Sequence, residues 1–320
     1  DAARYLLVVD SVFGSAFLVG DAATGTDEAP DVAYDATNLC WLVVWRVATS
    51  SVQGEVRAQR VSFTGTLLGP QLLIDASTTV DHRPRVANVN TNDAFVVAYV
   101  HRSVSGSIAF YRLELRTVAA ATGVVSSSFA VLSAWPDDFA LGGDSRAGSF
   151  GLREDALLAY AVTSSSGPEV RTQLVHVPAT GAPTSAGGFS TLSSTAGAHG
   201  DLTVSRHPGN GGRWMVAWGY SLPAVATPPY QQIVAVVLDS FGNQCTPWWQ
   251  VANGEVEAPS VATSDGSTFA VAWEDETANT VRVRTMTYSG TCGSGSFVFG
   301  AVQSPVQSFG IASVPAIDFA

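Results

Sequence analysis

The chain has 320 residues and a net charge of −11, from 16 arginines, no lysine and 27 acidic residues, which excludes nucleic acid and an anionic membrane surface as expected partners. Charged residues are 13%, about half the globular average, against 46% hydrophobic, so the composition is that of a folded chain with a sizeable core. No apolar run reaches 18 residues, which excludes a membrane-spanning helix, and a lysine-dependent phosphate loop cannot exist.

The chain opens on Asp1 with no basic, apolar leader, so any export signal is expected either to have been removed already or to lie outside this sequence. Residues 3–20 (ARYLLVVDSVFGSAFLVG) read as the third and fourth strands of a repeat, because VVDSVFG matches VVLDSFG further on. Then one element recurs five times: an aromatic or small residue, three apolar residues and an aromatic. It reads WLVVW (41–45), FVVAY (95–99), ALLAY (156–160), WMVAW (214–218) and FAVAW (269–273). The closing aromatics, Trp45, Tyr99, Tyr160, Trp218 and Trp273, are 54, 61, 58 and 55 residues apart. A short turn-bearing segment precedes each: 30–38, 84–93, 144–155 (DSRAGSFGLRED), 201–212 and 259–268. An alternating strand follows each, as in EVRAQRVSFTG (55–65) and TVRVRTMTYSG (280–290), and then a weaker apolar run such as PQLLID (70–75). The last segment, VPAIDFA (314–320), reads as another first strand.

Four short strands per 50–60 residues, with Gly, Ser, Asp and Asn turns and no helical period, are the signature of a propeller blade. The second strand is apolar on both faces, as a strand between two neighbouring blades must be, and the third alternates. The fold expected is all-β: one domain over 1–320, a β-propeller of six blades of four antiparallel strands. Blade 1 combines 1–20 with 313–320, and the others span 30–76, 84–132, 142–192, 200–253 and 258–303. Closing the ring with both termini removes free edges. The second strand of that sixth blade has no obvious source, so it is built from 305–320, or missing, or supplied by a longer polypeptide of which this chain is a fragment, and a gap there accepts a strand from a partner or a second copy.

The pattern P-x-V-A, turn, aromatic–apolar–V–apolar–Trp, then V-R-x-Q-R-V-S-x-x-G-T-L-L-G (56–69 in its best copy), resembles the repeats of secreted and surface-anchored bacterial propeller-type proteins. The resemblance covers most of the chain and implies fold and an extracellular location. It implies no particular chemistry, because the pattern encodes strands and turns.

Catalytic motifs are absent: no dinucleotide or zinc-protease motif occurs, and GGDSRAG (142–148) lacks the spacing of a nucleophile elbow. Loops joining second to third strands, and fourth to next-first strands, share one face, where propellers place their sites. Three groups fall there. His82 and Arg83, with His101 and Arg102, bring two histidines together for an anion or, with a third ligand, a metal. Tyr220 and Tyr230 bracket a proline-rich loop suited to sugar stacking or a protein contact. Glu274, Asp275 and Glu276, with Asp137 and Asp138 on the loop 133–143, are dense enough in carboxylate for calcium, with Asp275 and Glu276 as the metal candidates and no other cofactor expected.

The three cysteines fall on the opposite face. Cys245 and Cys292 occupy equivalent turns and are the disulfide candidate, closing a loop of about 46 residues for roughly 4 kcal/mol. Cys40 opens a second strand and reads as a buried thiol. The expected function is a non-enzymatic adhesion, scaffold or assembly module on or outside a bacterial cell, with a protein or glycan partner at the surface. The alternative is a carbohydrate-binding lectin or glycoside-active enzyme using the loop face.

Overall fold

Among the described residues the strands form five antiparallel units. β1 (Thr26–Asp35), β2 (Cys40–Ala48), β3 (Gly54–Ser62) and β4 (Leu67–Thr78) make the first. β5 (Arg85–Val89), β6 (Ala94–Ser105), β7 (Ile108–Ala119) and β8 (Phe129–Leu132) make the second. The third holds β9 (Asp138–Gly142), β10 (Asp155–Ser164) and β11 (Gly167–His176), with β12 (Thr184–Ser185) and β13 (Ser190–Ser193) both pairing with β11. β14 (Ala198–Val204), β15 (Trp214–Ser221), β16 (Tyr230–Leu238) and the first half of β17 (Trp249–Thr263) make the fourth. The second half of β17 joins β18 (Thr268–Asp275), β19 (Thr280–Ser289), β20 (Ser296–Phe299) and β21 (Gln303–Val306) in the fifth. This computed structural model describes residues 19, 26–50, 54–78, 83–143, 154–206, 212–222, 229–263 and 266–306. Apart from residue 19, the expected blade from 1–20 and 313–320 lies outside the described residues, as does nearly all of the segment 144–155.

The doubly apolar second strands explain how the units stack. On β6, Ala94, Val96, Ala98 and Val100 enter a core with Phe139, Leu158 and Tyr160 of the third unit. Its other face, Phe95, Val97 and Tyr99, packs against Leu42 and Val44 of the first. On β15, Trp214, Val216 and Trp218 face the third unit while Met215 and Ala217 face the fifth. Four cores therefore lie between successive units, each buried Val, Leu or Phe side chain contributing ~1.5–3 kcal/mol. The closing aromatics Trp45, Tyr99, Tyr160, Trp218 and Trp273 are all no more than 4% exposed. The third strands depart from simple alternation where they too are sandwiched: β16 stays buried from Ile233 to Leu238, Val234 and Val236 facing one core, Ile233 and Ala235 the other.

The third unit corrects one boundary. Its first strand is Asp138–Gly142, not 144–155, and it pairs with Leu157–Ala161 of β10. Phe139 is the reason: at 2% exposure it fills the core between the second and third units. Asp138 thus belongs to a strand and not to a loop.

The first strands β1, β5, β9 and β14 and the second half of β17 are successive neighbours along one edge of the stack. Three of them carry a bulge: pairing shifts between Glu28 and Asp31, Gly200 and Thr203, and Glu257 and Ser260. Within these bulges Ala29, Asp201 and Ala258 adopt left-handed backbone, φ 53°, 51° and 49°. Bulges of this kind re-aim neighbouring side chains.

Candidate functional site

At each junction between neighbouring first strands a polar side chain bonds to the backbone of the next strand. Asp31 accepts the backbone N–H of Val86 at 2.8 Å, Asp138 that of Leu202 at 2.6 Å and Asp201 that of Ala258 at 3.0 Å. At the remaining junction the direction reverses, and Arg85 Nε donates to the Phe139 carbonyl at 3.4 Å. Burial raises the Asp31 and Asp138 carboxyls above the usual range, while the nearby Arg85 guanidinium pulls both back. These groups hold the edge together by charge-assisted hydrogen bonds.

Beside this edge three glutamates converge. Glu257, just before the β17 bulge, lies directly opposite Glu274 of β18, and Glu276 follows on the turn after β18. One carboxylate oxygen from each lies within 4.8 Å of the other two. Glu274 is 4% exposed, and its Oε1 is buried with no hydrogen-bond partner. Burial, then Glu276, Glu274 and Asp201, push Glu257 up to about 7. Glu274 is raised by burial and by Glu276. Tyr230 is raised by burial and then by Asp201, Asp138 and Glu257, which places its phenol among the same acids.

The internal repeat shows how unusual this pairing is. In the first unit the equivalent position, before the bulge, is Glu28, and opposite it stands Arg46 in a 2.8 Å ion pair. In the fourth unit Gly200 faces Gly219, and the Tyr230 ring fills the space: a Cβ at Gly219 would come within 2.2 Å of its Cδ2. Among the described residues, only the fifth unit sets two carboxylates against each other across a strand pair, an arrangement that destabilises the pair unless something offsets it.

No protein-family model matches the sequence, and no curated protein matches it. Solved structures do. The NanB sialidase of Streptococcus pneumoniae is similar with a TM-score of 0.52 at 5% identity, over 90% of this chain and 63% of that one. A protein of unknown function from Dyadobacter fermentans gives 0.51 at 9%, over 86% and 83% of the two chains. An ACO/RPE65 chimera gives 0.50 at 11%, over 91% and 64%. The chain thus spans under two thirds of the sialidase and of the chimera. At such identities the likeness concerns architecture alone. The chain is an all-β, propeller-like protein.

In this propeller-like stack the residues singled out from the sequence scatter. His82 lies outside the described residues; Arg83 is exposed. His101 is half-buried, its Nδ1 3.1 Å from the Asp75 carboxylate, a pairing that raises its pKa. The Arg102 carbonyl accepts the Ser77 hydroxyl at 2.6 Å. Tyr220 and Tyr230, at 6% and 5% exposure, are packing residues, so neither ring offers a face to a sugar. Tyr220 stacks between His199 and Trp248, and Tyr230 over the two glycines; most of the loop between them, 223–228, is outside the described residues. Asp275 turns away from the cluster, pairing with Arg282 at 3.3 Å and accepting the Ala278 N–H at 2.9 Å, whereas Glu276 joins it. Cys245 and Cys292 are joined in a disulfide, and Cys40 is a buried thiol raised to about 11, chiefly by burial.

Sequence reasoning missed Glu257, Asp201, Asp31 and Arg85. Aligning the copies position by position would have found the first, since Glu28 and Arg46 correspond to Glu257 and Glu274.

Proposed function

We propose that the chain is a non-enzymatic propeller module acting outside the cell in adhesion, scaffolding or assembly, six-bladed, with both termini completing the ring. The observation that carries the non-enzymatic reading is the edge of first strands. There Asp31, Arg85, Asp138 and Asp201 are engaged with the neighbouring backbone instead of being held ready for a substrate. Ring closure is supported by the outward faces of the end units: Trp45 and Val47 of β2, and Ala270 and Ala272 of β18, belong to none of the four cores yet are at most 4% exposed. The extracellular location is supported by the disulfide between the fourth and fifth units and by the lysine-free acidic composition. A second reading, glycoside-active, draws on one observation: Glu257, held near 7 beside two further carboxyls, has the proton affinity of a general acid. A polysaccharide hydrolysis screen, run beside a glycan array and pull-downs with surface extracts, separates the two. Binding without turnover is expected; turnover that Glu257→Gln abolishes would replace the first reading with the second.

A further inference from the structure

The fifth unit differs from the first at one equivalent pair, and the difference is a missing positive charge. Where Glu28 has Arg46 across the strand, Glu257 has Glu274. Glu276 adds a third carboxylate from the turn, and Asp201 lies close enough to act on both Glu257 and Glu274. The Glu274 Oε1, buried and without a donor, is an acceptor the protein does not satisfy. A buried, unpaired carboxylate oxygen is costly unless a cation reaches it.

We infer that Glu257, Glu274 and Glu276 form a calcium site, the ion standing where the first unit places the Arg46 guanidinium. The spacing suits the ion. Three oxygens all within 4.8 Å of one another fit on one ion with bonds of ~2.4 Å, the calcium distance, and all three are hard oxygen donors. Magnesium demands near-ideal octahedral geometry and keeps most of its waters, whereas calcium accepts irregular carboxylate sets of this kind. Glu257 is half-buried, Glu274 buried and Glu276 exposed, so the protein closes one side and the solvent side is free for the waters that complete six to eight ligands. An ion there cancels the repulsion across β17 and β18 and fixes the turn bearing Glu276 to the bulge. The site is independent of whichever partner the module takes.

The test uses the whole chain, stripped with chelator, titrated with calcium chloride by calorimetry and melted with calcium or magnesium. One saturable calcium per chain is expected, with a rise in Tm of about 4 °C at a hundredfold excess over Kd and a smaller rise with magnesium. Glu276→Gln, at an exposed position, should fold normally and weaken calcium binding at least tenfold. Glu274→Arg rebuilds the pairing of the first unit: it should melt above wild type without calcium and lose the calcium response. A titration without heat and with flat melts for the wild type overturns the inference, and so does a calcium response unchanged in Glu276→Gln.

Discussion

His199 shows how one buried ring sets a pH response. It is 8% exposed on β14, and its Nδ1 accepts the Trp218 indole N–H at 3.1 Å, so the ring must be neutral at that nitrogen. Burial is the main cause that holds its pKa below the ordinary 6.5. The unfolded chain takes up that proton first, so this contribution to stability is complete above about pH 6.5 and declines below it, by at most ~1.4 kcal/mol per pH unit. Glu257 and His101 act in the opposite sense: both are raised in the fold, Glu257 from 4.5 to about 7, and their contributions fade as pH rises through the folded values. The wild-type profile sums these opposing effects, so a difference isolates the ring. His199→Gln, whose amide oxygen can accept from Trp218 without titrating, should lose less stability than wild type between pH 6.5 and 5 in urea melts. Parallel acid limbs for the two proteins would contradict it.

Among the elements, the first strands depend on few bonds of their own and on the side chains that join them. β9 has five residues and pairs only with β10, and Asp138 ties it to β14 through the Leu202 N–H. Leu202 is 4% exposed, so removing the acceptor leaves a buried N–H. Asp138→Ala should therefore destabilise by about 2 kcal/mol in denaturant melts, whereas Asp138→Asn, which keeps an acceptor oxygen, should lose less than half of that. Equal losses would mean that charge near Arg85, and not the hydrogen bond, is what Asp138 supplies.

For the molecule as a whole, the disulfide joins the third-to-fourth-strand turns of two successive units, and its 47-residue separation gives ~4 kcal/mol by chain entropy. Reduction should lower Tm by about 6 °C, given the unfolding entropy of a chain this long. A thiol reagent should find no reactive group in the native oxidised protein, one after denaturation and three after denaturation with reductant, because Cys40 is buried and its thiol is raised to about 11. Rapid native labelling would show that the β2 edge opens.

Much of the architecture was legible because it depends on periodicity, which is local. WMVAW, apolar at both odd and even positions, can be buried only between two sheets, and β15 lies between two cores for that reason. Asp138 and Glu257 were not legible. A carboxylate that accepts a backbone N–H 64 residues away, or stands across a strand from another carboxylate, looks in sequence like any solvated acid. The sequence by itself determined the strand rhythm, the two-faced second strands and the turns that bring Cys245 and Cys292 near each other, all consequences of side-chain alternation and repeat length. Tertiary structure alone decided which acids meet, because bulges at Asp201 and Ala258 and the stacking of one unit on the next set the aim of side chains that no local pattern encodes.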